Sequence, residues 1–172
     1  MMTKIDLCSM ALLKIGETPI QSFDEDTAAA KLGRTLLDFV IDTLLSGHPW
    51  RFACRTMELI KNQDGKIEIP SNVLRILKTD GDVQGNEIIA QSDRVTILAI
   101  VRVSPDMFPS YFSSLVATKL AMEFCMPLTA DQAMFRTLTA LYETELQSAK
   151  FVDSTMSKNF GIESFSLIAS RF

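Results

Sequence analysis

The spacing of apolar residues changes twice along this chain of 172 residues, and the two changes constrain its fold more than any other feature. Up to residue 47, and again from residue 104 to about 152, apolar side chains recur every three or four positions, the period of a helix with one buried face. Between about 55 and 103, β-rich segments are separated by turn-forming residues, which is typical of strands. The sequence therefore predicts a mainly α fold: a four-helix bundle-like domain with a small antiparallel β insertion (about 55–103) and an extended C-terminal tail.

Capping residues and prolines indicate where the helices begin and end. Thr3 is a suitable N-cap for the first helix, and Pro49 follows the end of the second, whose wide apolar arc predicts a central position. Pro127 is expected to end the third helix, and Thr129 with Gln132 has the capping-box spacing for the fourth. The predicted helices cover about 4–15, 27–46, 106–126 and 130–151.

The β insertion contains one strong turn signal. Asp64-Gly65 is the dipeptide that best suits a two-residue hairpin turn, so the segments before and after it are expected to pair with each other. Other β-rich segments are expected to complete a small antiparallel sheet; they lie at about 73–79, 87–91 and 95–103.

The loop after residue 79 partly matches a calcium-binding loop. Oxygen-bearing residues stand at its first, third and fifth positions, and a turn glycine follows them; these are Asp80, Asp82, Gln84 and Gly85. Gln91 stands where calcium needs a bidentate glutamate, and the flanking sequence is β-type. A polar hairpin tip is therefore the favoured interpretation.

Charge and cysteine content bear on the class of protein. Seventeen Lys and Arg against 21 Asp and Glu give a net charge of −4, and no two basic residues are adjacent. A surface that binds nucleic-acid phosphates is therefore disfavoured. Three cysteines at wide spacings, without a signal peptide before them, favour a reducing, cytoplasmic compartment. No apolar stretch approaches the roughly 18 residues of a membrane span, so a soluble protein without membrane contact is expected.

No constellation of residues favours catalysis, a metal or a cofactor. His48 is the only histidine and stands where a helix ends, so its ring is expected to satisfy free helix carbonyls rather than act as a base. Asp38 and Asp42 are expected to lie on a solvated helix face. The cysteines lack the close pairs of a zinc site and are expected to pack as small apolar residues; they are Cys8, Cys54 and Cys125.

Two groups of apolar residues are expected to be structural or adhesive. Pro49, Trp50 and Phe52 follow the second helix and should anchor the core, with the indole N–H on a local carbonyl. The folded domain is expected to span residues 1–152. Residues 153–172 show no helical period and are expected to form an adhesive tail. Its large apolar side chains are Phe160, Ile162, Phe165, Leu167, Ile168 and Phe172.

Five blocks of the chain occur in the same order as in a known protein family. Residues 48–53 read His-Pro-Trp-Arg-Phe-Ala, and residues 13–20 read Leu-Lys-Ile-Gly-Glu-Thr-Pro-Ile. An acidic stretch followed by small residues at 24–32, an Ile-Pro turn at 69–76, and two helices joined by Pro-Leu-Thr at 108–129 complete the set. Together they resemble the head–tail adaptor (connector) proteins of tailed phages, the group that includes tail tubular protein A. The resemblance extends from about residue 5 to residue 152.

This resemblance implies a non-enzymatic virion protein located at the neck, after assembly in the host cytoplasm. Copies of such a protein form a ring, probably of twelve, below the portal protein. A tail, stopper or nozzle protein docks on the ring, and DNA passes through without sequence-specific binding. The resemblance also implies that the tail from residue 153 binds the portal. The polar loop residues are then candidates for contact with the tail-side protein; they are Asp80, Asp82, Gln84 and Asn86.

The chain departs from the family pattern in its β insertion. Ser71-Asn72 replaces the acidic residue common after the family's Leu-Pro, and the insertion is short. Two other classes stay open on the residues alone. One is a self-associating, non-enzymatic scaffold or regulatory helical module of a bacterium, which ring assembly on a portal distinguishes. The other is a small cytoplasmic thiol or hydrolytic enzyme, which cysteine alkylation rates distinguish.

Overall fold

Four helices and six short strands form the part of the chain that the structure, a computed structural model, describes, namely residues 2–155. The protein is mainly α-helical with a β insertion. The helices are α1 (Lys4–Lys14), α2 (Ala28–Gly47), α3 (Ser110–Thr129) and α4 (Gln132–Thr155). The strands are β1 (Cys54–Ile60), β2 (Ile67–Glu68), β3 (Val73–Thr79), β4 (Asp82–Gln84), β5 (Glu87–Ile89) and β6 (Arg94–Val101).

The boundaries of α3 differ from the predicted ones at both ends. Ser104-Pro105-Asp106 does not start the helix; Pro105–Met107 is a separate 3₁₀ turn, and α3 begins at Ser110 after Pro109. Pro127 lies inside α3, which continues to Thr129, so the prediction that it ends the helix is wrong. Within the last turn, one lost backbone donor breaks one bond and does not unwind the helix.

The cap of α4 is Asp131, not the predicted Thr129. The Thr129 hydroxyl donates to the Cys125 carbonyl, 2.7 Å away, and so satisfies a carbonyl near the end of α3. Asp131 caps α4, because its Oδ1 accepts the backbone N–H groups of Ala133 and Met134 at 2.8 and 3.0 Å. The predicted capping box of Thr129 and Gln132 is therefore wrong.

The central helix is α3, whereas the sequence favoured α2. Buried residues lie on all sides of α3, and it contacts each of the other three helices. Its two charged residues, Lys119 and Glu123, form an ion pair with each other at 2.7 Å. A helix with so little polar surface is stable only when neighbours cover it on several sides. By contrast, α2 has a polar outer face that carries an exposed Phe39.

The β insertion contains two three-stranded antiparallel sheets instead of one. Sheet A has the order β1-β6-β3, and sheet B has the order β2-β5-β4. A turn does form at Asp64-Gly65, where Asn62 N–H donates to Lys66 O and Gly65 adopts a φ of +76°. The strands on its two sides nevertheless belong to different sheets, so the predicted hairpin is wrong. Seven residues of β1 pair with β6, whereas β2 is only two residues long.

The two sheets pack face to face over a small apolar cluster of their own. Alternate residues of β6, namely Val95, Ile97 and Ala99, face Ile67 and Ile88 of sheet B. On one side of this sandwich β1 contacts β2. On the other side, a groove of about 440 Å³ separates β3 from the β4–β5 hairpin. Sheet B thus covers one face of sheet A, and the edges β1 and β4 lie on opposite sides of the sandwich.

One ion pair and one hydrogen bond connect the base of the β insertion with α2. Arg102, just after β6, donates to both carboxylate oxygens of Asp42, and Arg75 of β3 donates to the Ser46 carbonyl at 2.8 Å. One turn earlier, Asp38 pairs with Lys4 of α1 at 2.6 Å. Asp38 is exposed, as the sequence predicted, and Asp42 is half-buried; both also link α2 to its neighbours.

Candidate functional site

Trp50 lies at the junction between the helices and the β insertion. Pro49 prevents α2 from continuing, so the chain turns there and directs the indole inward. Trp50 is fully buried, and its Nε1–H donates to the Leu44 carbonyl in the last turn of α2 at 2.7 Å. Pro49 is exposed, and Phe52 is half-buried in a 3₁₀ turn that spans Arg51–Ala53.

An aromatic cluster surrounds this tryptophan. The Trp50 and Phe112 rings meet edge to face with centroids 5.1 Å apart, and Phe52 and Phe108 each meet Phe112 at 4.9 Å. Edge-to-face pairs bring the positive edge of one ring to the negative face of another. The cluster joins the link between α2 and β1 to the first turn of α3.

Asp153 is a buried carboxylate beside this cluster, and the sequence had placed it in the tail. It lies in the last turn of α4 and is 3% exposed. Its Oδ1 accepts the Tyr111 hydroxyl at 2.9 Å and the Arg51 backbone N–H at 3.2 Å. Burial, with this hydrogen bond second, raises the pKa of Tyr111. The last turn of α4 is therefore attached to the α2–β1 link and to the start of α3.

A sequence signal for Asp153 exists in the spacing of α4. The inner side of the helix carries Tyr142, Leu146 and Ala149, and the next position on that side is residue 153. An acid on an otherwise apolar stripe indicates a buried, hydrogen-bonded carboxylate. The prediction missed it because it ended the helix near residue 152, one turn too early.

His48 does not cap α2 in the way the sequence predicted. The free carbonyls at this helix end are taken by other groups: Trp50 bonds Leu44 O, and Arg75 bonds Ser46 O. The His48 ring instead lies against the indole, with centroids 4.6 Å apart, and its Nε2 is 3.9 Å from Asp153. Burial lowers the pKa of His48, and the Asp153 carboxylate opposes this shift.

The three cysteines are free thiols. Cys8 and Cys125 are buried, and burial raises the pKa of Cys8 to about 12. Burial also raises the pKa of Cys54, and the charge of Asp153 adds to that shift. Within residues 2–155, no group of three or more His, Cys, Asp and Glu side chains is placed to hold a metal ion. None of the helices in the described part of the chain is long and apolar enough to cross a membrane.

The polar loop forms an exposed β-hairpin. Its residues Asp80, Asp82, Gln84 and Asn86 are all exposed. Gly85 adopts a φ of +60° in the two-residue turn between β4 and β5, a conformation that favours glycine. Gly81 packs so closely on β5 of the same hairpin that an added Cβ would lie 2.5 Å from Ile88 Cγ2.

The six apolar tail residues named from the sequence lie outside the described residues. They are Phe160, Ile162, Phe165, Leu167, Ile168 and Phe172. The described chain ends at Thr155, two residues after Asp153. The last described turn of α4 is held to the body through Asp153.

Comparison with known proteins identifies a family. A family model described as tail tubular protein matches residues 5–156, most of the chain. A search of curated proteins found no match to the chain. The predicted relationship to the tail tubular group of phage proteins is confirmed.

Proposed function

Because the chain belongs to the tail tubular protein family, it is a structural component of a phage virion, and we propose that it acts as a head–tail adaptor. Copies of the chain, with a bundle-like helical body, form a ring of twelve between the portal protein and a tail, stopper or nozzle protein. DNA passes through the ring. The protein assembles in the host cytoplasm and stays in the virion neck. The family match over residues 5–156 carries this proposal, since it covers both the helices and the β insertion.

The segment after α4 is the proposed portal-binding element. Asp153 fixes the last turn of α4, so this segment leaves every copy at the same place. Burying each of its six large apolar side chains against a partner contributes roughly 1.5 to 3 kcal/mol. A ring presents several such segments at once, which strengthens attachment through avidity.

The test is a truncation that removes residues 156–172 and keeps Asp153. Cutting at residue 153 would also remove the buried carboxylate, so a loss of folding could be mistaken for a loss of binding. We expect an unchanged melting temperature and no retention on the purified portal of the same phage. Phe160→Ser should weaken retention, whereas the matched control Asn159→Ser should not. A truncated protein that still decorates portals contradicts the proposal.

The β4–β5 hairpin is the proposed contact with the tail-side protein. Its candidate residues Asp80, Asp82, Gln84 and Asn86 are all exposed. Replacing Gln84 and Asn86 with alanine should reduce binding of the tail-side protein without changing retention on the portal. Equal loss of both contacts contradicts the assignment of the hairpin to the tail side.

Passage of DNA through the ring agrees with the charge of the chain. A net charge of −4 without adjacent basic residues offers few cations to displace counterions from a duplex, so DNA can slide rather than bind. We expect weak binding of linear duplex DNA without sequence preference. Submicromolar affinity at physiological salt contradicts this part of the proposal.

The proposal assigns no catalysis to the protein. A nucleophilic cysteine needs a lowered pKa, whereas burial raises the pKa of both Cys8 and Cys54. Alkylation of Cys54 should therefore be slow at neutral pH. Rapid, pH-independent alkylation of that thiol would favour an enzyme instead.

A further inference from the structure

The two edge strands of sheet A differ in regularity. All seven residues of β1 pair with β6 without a register shift, whereas the pairing of β3 is shifted between Val73 and Arg75 and again between Ile76 and Lys78. Such irregularities commonly protect an edge strand from pairing with another chain. Strand β1 has no such protection.

The free edge of β1 presents a row of unpaired backbone groups. Lys61 N–H donates to Asp93 O, and the antiparallel alternation then directs the N–H groups of Arg55, Met57 and Leu59 to β6. The N–H groups of Thr56, Glu58 and Ile60 point away from the sheet. Among the bonds formed within residues 2–155, none satisfies these three groups outside the β1–β6 ladder. The edge is therefore a template for a further strand.

A complementary edge lies on the opposite side of the sandwich. Strand β4 is the outer strand of sheet B, and its three residues, Asp82, Val83 and Gln84, are all exposed. β1 contacts β2 on one side, whereas the β4–β5 hairpin borders the groove beside β3 on the other. The two free edges thus face away from each other, as a head-to-tail contact between copies requires.

The charges at the two edges also complement each other. Arg55 of β1 is exposed, and its guanidinium donates to the Cys54 carbonyl at 2.8 Å. On the opposite edge, Asp80 and Asp82 are exposed acids. Across the described residues, none of these three side chains takes part in an ion pair. A second copy can therefore supply the missing counter-charge to each edge.

We infer that β1 of one copy pairs with β4 of the next copy, so that sheet A of each subunit continues into sheet B of its neighbour. This inference rests on the proposed ring and names the contact that closes it. The occupant is a second copy because both edges belong to the same chain, lie on opposite sides and differ in the charge of the side chains without an ion pair, Arg55 on one edge and Asp80 and Asp82 on the other. Of the four hairpin residues proposed for the tail side, this contact uses the side chains of Asp80 and Asp82. The side chains of Gln84 and Asn86 stay free for the tail-side protein.

Crosslinking between engineered cysteines tests the head-to-tail contact directly. In a Cys54→Ser background, copies that carry both Thr56→Cys and Val83→Cys are assembled with the portal of the same phage and treated with a short bismaleimide. We expect covalent ladders of three or more copies from the double variant and only monomers from either single variant. Dimers from Thr56→Cys alone would show two-fold pairing of β1 with itself and overturn the inference.

Substitutions provide a second, independent measurement of ring formation. Thr56→Pro removes an outward N–H without touching the ladder to β6, and edge strands tolerate proline at such positions. It should reduce the fraction of copies in rings at least tenfold, whereas the matched control Thr56→Ala should not. Arg55→Glu and Asp82→Lys should each reduce ring formation, and the double variant should restore it.

The outcomes separate the inference from the proposed function. If the parent protein forms rings on the portal and neither the ladder nor the charge rescue occurs, the strand contact is wrong and the adaptor role stands. If the parent protein forms no ring with the portal, the adaptor role fails and the strand contact fails with it. Should Thr56→Pro lower the melting temperature, the crosslinking and the charge swap still decide the question.

Discussion

The helical body and the β insertion are built around separate apolar clusters of different size. Within residues 2–155, the helical cluster contains 26 buried residues, including Trp50, whereas the cluster between the two sheets contains six. Strand β6 contributes to both, with Ile100 in the first and Ile97 in the second. The comparison indicates that the helical body provides most of the stability, and that the sheets depend on their attachment to it.

The largest expected effect is the truncation of Trp50 in the helical cluster. Trp50→Ala removes a fully buried indole and its hydrogen bond to Leu44 O, and should lower the free energy of unfolding by about 3 to 5 kcal/mol. Urea unfolding followed by far-UV circular dichroism measures it. A nearly unchanged midpoint would mean that the helical body does not rely on this junction.

A smaller effect is expected from the β insertion. Ile88→Ala in β5 opens a cavity in a small cluster that can relax around it, so the loss should be about 2 kcal/mol, the low end for such changes. Hydrogen exchange of β5 and of α3 should be compared with the parent protein. If α3 loses as much protection as β5, the helical body and the β insertion unfold as one unit and do not differ in stability.

Asp153→Asn tests how the last turn of α4 is held within the helical body. Asparagine keeps the shape but replaces the charged carboxylate by one neutral amide oxygen and an NH2 group that cannot accept. This weakens the hydrogen bonds from the Tyr111 hydroxyl and the Arg51 N–H, so stability should fall by about 1 to 2 kcal/mol. Thermal unfolding measures the change, and the exposed neighbour Ser154→Ala provides the control. An unaltered melting temperature would show that α4 is not held through this carboxylate.

The smallest expected effect is a dependence on pH from His48. Its pKa is lower in the folded protein than its ordinary value of about 6.5, so the unfolded chain binds the proton more readily. Stability should therefore be full above about pH 6.5 and fall as the pH drops through the folded-state pKa. His48→Asn should make the difference in melting temperature between pH 7.5 and 5.5 smaller. An identical or larger difference would contradict this role.

The helices and the strands were not equally predictable. Thr3 caps α1 as the sequence indicated, and α2 begins one residue after the predicted start, because helix ends depend on residues within one turn of each other. The errors at Pro127 and Thr129 arose at the α3–α4 junction, where signals for the end of one helix and the start of the next lie within a few residues. Ring contacts and the tail segment remain predictions.

The sequence by itself determined where helices alternate with strands, because the spacing of apolar residues within a short window distinguishes a helix from a strand. It also determined the turn at Asp64-Gly65, whose conformation depends on a single glycine. Only the tertiary structure decided that β1 pairs with β6 and that Asp153 closes onto Arg51 and Tyr111. Those partners lie far away in the sequence, and the choice among them depends on which apolar surface each arrangement buries, a quantity that no local pattern contains.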